Sequence, residues 1–313
     1  LPLCVARMDG DEGVAVLEMG SNAAGDIDLL CRIATPRFAV VTNVGPAHLE
    51  GFGSLEAVRG TDLEVLKYVN VVSVNADDQF LMEGLKGFAG EVVTYGMDSN
   101  AQIRAKDVTL GEGGASFKLC FRDGVEMPVR LCIAGAFNVR NALAAASLAD
   151  EMGVAREDIV RGLELFRGVP MRMEIRRFMG ALAIGDVYNA NPASMESALK
   201  ELVRLSKGRS IAVLGDMLEL GSYSDEAHSN LVRRLSESGV DIFIAVGPSM
   251  ARACSEFAGS CYQADDSDRA RETLLGLCRE GDTILVKGSR GMHMEKVLAV
   301  PEDLGTGEDR HAL

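Results

Sequence analysis

Carboxylates, amides and basic residues recur where an apolar run gives way to a turn. Glu18 follows the apolar residues 14–17 in VLEMGSN, beside Gly20, where a carboxylate can hold a divalent cation close to backbone. A solvated acid at a turn has the same signature. His48 stands in the Gly/Pro-rich loop TNVGPAHLEGFGS, after the apolar run Phe38–Val41. An imidazole there can join a metal shell or act as a base, and it can equally be structural. Asn138 and Asn141, three apart at the start of an Ala/Leu-rich helix, share a face. They suit a helix cap with its neighbour, or amide recognition of a base or phosphate helped by the helix N-terminus. Further on, Asp186 follows an apolar run in IGDVYNANPAS, Asp216 in VLGDMLELG, and Lys287, Ser289 and Arg290 in LVKGSRG.

The elements that must position these residues alternate. Short strands are expected at residues 14–17 and Phe38–Val41, and helical spacing runs from 55 to about 69. From about 91 to 133, period-2 segments such as FKLCF and MPVRLCI, separated by Gly-rich turns, predict antiparallel strands. A helix over 138–152 ends at Gly153, and a hinge is expected around Gly168. Beyond it, strands are predicted at 181–184, 211–214, 241–246 and 283–286, with helices near 194–205, 225–238, 267–279 and 292–298. That alternation implies right-handed crossovers and a mainly parallel sheet, with ligands at the carboxyl ends of its strands. The expected architecture is therefore α/β in two domains, 1–168 and 169–313.

With 47% hydrophobic and 25% charged residues, the chain can bury a sizeable core. No apolar run reaches the ~20 residues of a membrane helix, so no membrane insertion and a cytoplasmic location are expected. The net charge of -14 disfavours nucleic-acid binding. The seven cysteines form no C-x-x-C pair, and buried reduced thiols are expected. No Gly-Lys dipeptide occurs, so the phosphate-cradling loop G-x-x-x-x-G-K-[ST] is missing. The residues alone thus indicate a two-domain α/β protein with a Mg²⁺ and anion site.

Taken together, VLEMGSN, TNVGPAHLEGFGS, GAFNVRNALAAASLA, DVYNANPASMESAL, AVLGDMLELG and LVKGSRGMHME closely resemble, in order and spacing, the Mur ligases. Within them they resemble the family that adds D-alanyl-D-alanine to UDP-N-acetylmuramoyl-tripeptide. The resemblance implies a partial central ATPase domain beginning after its P-loop, then a Rossmann-like C-terminal ligase domain. It also implies ATP and Mg²⁺, the UDP-linked tripeptide and D-alanyl-D-alanine as partners, and a monomer. The chemistry implied is phosphorylation of the peptide carboxylate by ATP and attack of the dipeptide amine on the acyl phosphate. Carried over by motif, Glu18 binds the Mg²⁺ bridging the ATP phosphates and His48 the second Mg²⁺. Asn138 and Asn141 lie beside adenine, Arg172 and Asp186 reach ATP, and Tyr188, Asn189, Asn191, Lys287, Ser289 and Arg290 face the dipeptide.

Three positions depart from the family pattern. Asp62, in GTDLE, stands where the family has a carbamylated Lys steadying the second Mg²⁺; a direct or water-bridged Asp62 contact or a weakened second site is expected. Phe137 replaces a frequent His, and Gly185 a frequent Asp. The 313 residues alone are expected to be inactive for want of the P-loop. A non-catalytic binding relative and another amino-acid ligase of the superfamily are the alternatives.

Overall fold

A computed structural model describes residues 1–46, 49–98 and 100–299. The chain divides into two compact units, Leu1–Arg167 and Gly168–Leu313. Both are α/β with mostly parallel sheets, the fold class expected from the alternation.

In the first unit the strands are β1 (Phe38–Val41), β2 (Val71–Asn75), β3 (Glu91–Gly96), β4 (Ile103–Leu110), β5 (Ala115–Cys120) and β6 (Glu126–Leu131). They lie side by side in chain order. β1 to β4 run parallel, and β4, β5 and β6 antiparallel. The antiparallel texture expected from residue 91 therefore begins only at β4. β3 pairs parallel with β2 because its alternating VVTY side chains fit either direction, and periodicity does not encode orientation. Residues 14–17 are not a strand. Val14 and Val16 remain 62% and 94% exposed, and without a neighbouring ladder a four-residue apolar run has nothing to hydrogen-bond.

The helix Ala136–Glu151 lies on this sheet through Val139, Ala142, Leu143 and Ala146, against Tyr95, Ile103, Phe117 and Leu119. Its alanines let the backbone approach closely. The Ser73 and Ser147 hydroxyls hydrogen-bond across this contact, and Ser147 Oγ also lies 2.8 Å from the Ala144 carbonyl.

The second unit contains β7 (Glu174–Phe178), β8 (Ala181–Asp186), β9 (Ser210–Gly215), β10 (Ile242–Val246), β11 (Ser260–Ala264) and β12 (Thr283–Lys287). Their order is β11-β10-β9-β12-β8-β7, parallel except for the β7–β8 hairpin. That hairpin turns through Met179 and Gly180, both at positive φ, as a tight two-residue turn demands. β9, β10 and β12 are buried at every position. Both faces of the sheet are covered, which is why these strands read as uninterrupted apolar runs. The chain steps outward from β8 to β9, β10 and β11, then returns to insert β12 between β9 and β8. In open α/β sheets the usual ligand position lies outside the carboxyl ends of the strands where the order reverses, here those of β8, β12 and β9.

Two details differ from the sequence reading. Residues 290–298 form two 3-10 turns, Arg290–Met292 and Met294–Leu298, because His293 between them is left-handed at φ 49. Cys254 and Cys261 are disulfide-bonded with Cα atoms 6.0 Å apart, and Cys4 and Cys132 are exposed, so the cysteines are not uniformly buried thiols. Among the described residues no helix is long and apolar enough to cross a membrane.

Candidate functional site

At the carboxyl pole of the second sheet, Lys287 and Asp186 are register partners on adjacent strands. Lys287 is 1% exposed, and its Nζ donates to Asp186 Oδ2 at 2.5 Å and to the Asn189 carbonyl at 2.8 Å. Burial pulls the Lys287 ammonium below its ordinary pKa, and the Asp186 carboxylate opposes that pull. The other Asp186 oxygen accepts from the Met173 N–H at 3.3 Å. The Met171 carbonyl accepts from both Val187 and Tyr188 N–H, at 2.9 and 3.1 Å. The segment carrying Arg172 is thus stitched to the end of β8, and the Arg172 guanidinium lies 4.4 Å from the Tyr188 ring centroid.

Arg172 is flanked by two left-handed methionines, Met171 at φ 67 and Met173 at φ 50. A side chain at such φ costs about 1–2 kcal/mol per residue, and the cross-links just described hold both in place. Asn191 spends its side-chain oxygen on the Ser194 N–H in a capping box that starts the helix Pro192–Leu205. The Ala190 carbonyl accepts from Ser289 Oγ at 3.4 Å, and Ser289 Oγ in turn accepts from the Leu218 N–H at 2.9 Å. Ser289 is buried; Arg290 is exposed and pairs with Glu295 at 3.1 Å. Among the residues expected to meet a ligand here, Arg172, Tyr188, Asn189 and Arg290 are exposed. Lys287 and Ser289 are not.

Asp216 and His228 had no assigned role in the sequence. Asp216 is buried and accepts from the Ser249 and Met250 N–H groups at 3.1 and 2.7 Å, capping the helix Pro248–Ala253. His228, also buried, accepts the Met217 N–H at its Nε2, 2.9 Å away, while its Nδ1 lies 2.7 Å from the Ser224 carbonyl. The GDMLELG loop is therefore pinned from three sides. The strand-end position of Asp216 was a usable signal; nothing local marked His228.

In the first unit, Ser21 Oγ donates to Asp62 Oδ1 at 3.3 Å, which brings the segment after Glu18 to the end of the helix Leu55–Asp62. Asp62 is half-buried, and desolvation raises its carboxyl pKa against the opposing Ser21 bond. Glu18 is exposed. His48 lies outside the described residues. Among the described residues no three His, Cys, Asp or Glu side chains converge as a metal shell. Asp62 and Glu18 each carry hard oxygen donors of the kind Mg²⁺ takes, and a partly desolvated carboxylate such as Asp62 gains from a cation beside it.

The loop that leaves β1 is positioned by residues the sequence did not flag. Asp78 Oδ2 accepts from the Val44 N–H at 2.9 Å while its Oδ1 caps the next helix at Leu81 N–H. The Tyr95 hydroxyl donates to the Thr42 carbonyl at 3.4 Å. Asn138 lies inside its helix, which Gly135 caps. Its amide donates to the Ala134 carbonyl at 2.7 Å, and the Asn141 amide donates to the Asn138 oxygen at 3.4 Å. The two asparagines do meet on one face.

Burial and the nearby Asp77 and Asp78 push the Tyr95 phenol well above its ordinary pKa. The folded state therefore keeps this proton where the unfolded chain would lose it. The phenol's contribution to stability is complete below pH ~10 and falls by about 1.4 kcal/mol per pH unit between there and the raised folded value. Tyr95→Phe is expected to flatten that alkaline slope and to cost only ~0.5–1.5 kcal/mol at neutral pH. Urea midpoints at pH 8 and pH 11 measure both effects.

Residues 1–149 match the Mur ligase middle domain, and residues 171–290 the Mur ligase, glutamate ligase domain. The UDP-N-acetylmuramoyl-tripeptide–D-alanyl-D-alanine ligase of Bacillus subtilis (strain 168) is 34% identical over 309 residues, covering 95% of this chain and 66% of its own length. The Escherichia coli (strain K12) enzyme of that name is 31% identical, covering 98% of this chain and 69% of its own. The crystal structure of MurF ligase from Thermotoga maritima in complex with ADP superposes with a TM-score of 0.81 at 29% identity, covering 90% of this chain and 65% of that one. The chain thus spans about two thirds of the length of the curated relatives it matches. Both units carry a Mur ligase domain, and the relatives share one name, so the chain belongs to the Mur ligase family, in its UDP-N-acetylmuramoyl-tripeptide–D-alanyl-D-alanine ligase branch.

Proposed function

We propose that this chain is the catalytic part of an ATP-dependent, ADP-forming ligase that joins D-alanyl-D-alanine to UDP-N-acetylmuramoyl-tripeptide. The observation that carries it is the stitched carboxyl-pole cluster of Arg172, Asp186, Tyr188 and Lys287, on a chain whose relatives bear that enzyme's name. The first unit is part of the ATP-binding domain and the second the ligase domain.

In this reading the peptide carboxylate attacks the γ-phosphorus, the bond to the β-phosphate oxygen breaks, and ADP leaves. The dipeptide amine then attacks the acyl carbon, loses a proton, and phosphate departs with the C–O electron pair. A carboxylate is a poor electrophile, so activation must come first. Positioning and charge neutralisation dominate phosphoryl transfer. Mg²⁺, when bound, would supply charge neutralisation at the phosphates; Glu18 would hold one ion, and His48 with Asp62 a second. Asn138 and Asn141 offer amides to the adenine. Arg172, backed by the Tyr188 ring and fixed between two strained methionines, is a permanent positive charge of the kind that neutralises a transferring phosphate. Asn189, Asn191 and Arg290 border the place of the dipeptide.

The test is phosphate release by the full gene product with Mg²⁺-ATP and UDP-muramoyl-tripeptide, with and without D-alanyl-D-alanine. Release that needs the dipeptide is expected. Release without it, or with a different amine only, would move the assignment to another ligase, and no release to a binding protein.

A further inference from the structure

We propose that Lys287 is a positioning residue that holds Asp186 and the Asn189 carbonyl so that Arg172 and Tyr188 face the ligand, and that it does not itself bind substrate. This deepens the ligase reading and rests on it.

A charged residue after a strand is the obvious candidate to meet an anionic or zwitterionic ligand, but the geometry assigns Lys287 elsewhere. Its stem runs inside the sheet and it is 1% exposed. Two of its three N–H donors are taken, at 2.5 and 2.8 Å, by groups of its own unit. Both acceptors belong to the segment that ends β8. From Asp186 the connection continues to the Met173 N–H, and from Met171 back to Val187 and Tyr188. Arg172 stands between these two anchors, on backbone that would relax from positive φ if they were released. Lys287 is therefore the far end of a chain of bonds whose near end is the Arg172–Tyr188 stack. Removing it leaves Asp186 without its counter-charge, and frees both the Asn189 carbonyl and the strained methionines.

Hydrogen exchange on the full-length enzyme tests this, comparing wild type with Lys287→Met. The expected result is at least tenfold faster exchange in peptides covering 171–173 and 186–191, with β9 and β10 unchanged. In the ligase assay, the same variant should lose at least tenfold in kcat, with any rise in KM for D-alanyl-D-alanine smaller than that loss. Unchanged protection of those peptides would overturn the proposal. So would a tenfold rise in dipeptide KM with kcat retained, the signature of a direct substrate contact. Should Lys287→Met not fold, the double variant Asp186→Asn/Lys287→Met leaves no unpaired charge and carries the same exchange comparison. The exchange measurement needs no substrate. Absence of dipeptide-dependent turnover in the wild type would sink the ligase reading and leave the positioning claim to be decided by exchange alone.

Discussion

Arg209→Met is expected to destabilise the protein by about 2–3 kcal/mol, the cost of leaving a buried carboxylate without its partly exposed counter-charge. Arg209 meets Asp282 in a two-pronged contact, Nε to Oδ1 at 3.0 Å and Nη2 to Oδ2 at 2.7 Å. Asp282 is 4% exposed and the Arg209 side chain 25%, so loss of the guanidinium leaves a buried carboxylate only partly rehydrated. The Arg279 N–H also donates to it at 2.7 Å, which places the expected value toward the lower end of the range. The pair sits where β9, β12 and β8 begin. Thr283 N–H donates to the Arg209 carbonyl, and Leu182 N–H to the Asp282 carbonyl. Loss of the pair therefore loosens three strand starts together. Urea unfolding of the variant, with Arg269→Ala in the exposed Arg269–Glu272 pair as control, measures the effect. An unchanged midpoint for Arg209→Met would mean that Asp282 is satisfied by backbone alone.

The two poles of the second sheet thus divide the labour. At the amino pole, Arg209, Asp241 and Asp282 fix strand starts through charge and backbone bonds. At the carboxyl pole the same residue types hold loops in strained shapes around an exposed Arg172 and Tyr188. On the proposed function, substitutions at the first pole are expected to act on stability and those at the second on ligand handling, as in parallel α/β sheets generally.

Much of this was legible in the sequence. β9, β10 and β12 could be read because double-sided burial leaves an uninterrupted apolar run, and the residues after them could be read because a strand of that kind must end at a pole. β11, SCYQA, could not, since an edge strand with polar positions facing solvent has no such run. Residues 14–17 misled for the opposite reason, being apolar yet unpaired. The charge at position 287 was visible, but its burial was not, because a long aliphatic stem folds inward only when a carboxylate from another strand waits there. Asp78 and His228 act on backbone groups 34 and 11 residues away in the chain. No local pattern announces such partners.

The other large effect is expected at Asp62. Asp62→Asn should weaken Mg²⁺ binding by about 10–100-fold if the contact is water-bridged, the usual cost of losing an outer-shell carboxylate, and by more if it is direct. The side chain is shorter than a carbamylated lysine, so its reach depends on the Ser21 bond that orients it. Its pKa is raised by burial, and the sign of the pH dependence follows. The folded state favours the protonated acid. In the absence of metal, Asp62 therefore contributes stability at low pH that is lost as pH rises from the ordinary Asp range through the raised folded value. At neutral pH in EDTA the wild type should accordingly be no more stable than Asp62→Asn. Adding Mg²⁺ should reverse the order, because the cation removes the penalty on the wild-type carboxylate and finds no charge in the variant. Proton and cation compete for one group, so the Mg²⁺-induced rise in wild-type Tm should shrink as pH falls through the raised pKa, while the variant stays flat. Thermal unfolding of both proteins with EDTA or Mg²⁺, from pH 4.5 to 8, measures this without recourse to turnover. Equal Mg²⁺ responses in the two would remove Asp62 from the metal site and leave the second cation, if the enzyme uses one, to His48 and residues elsewhere.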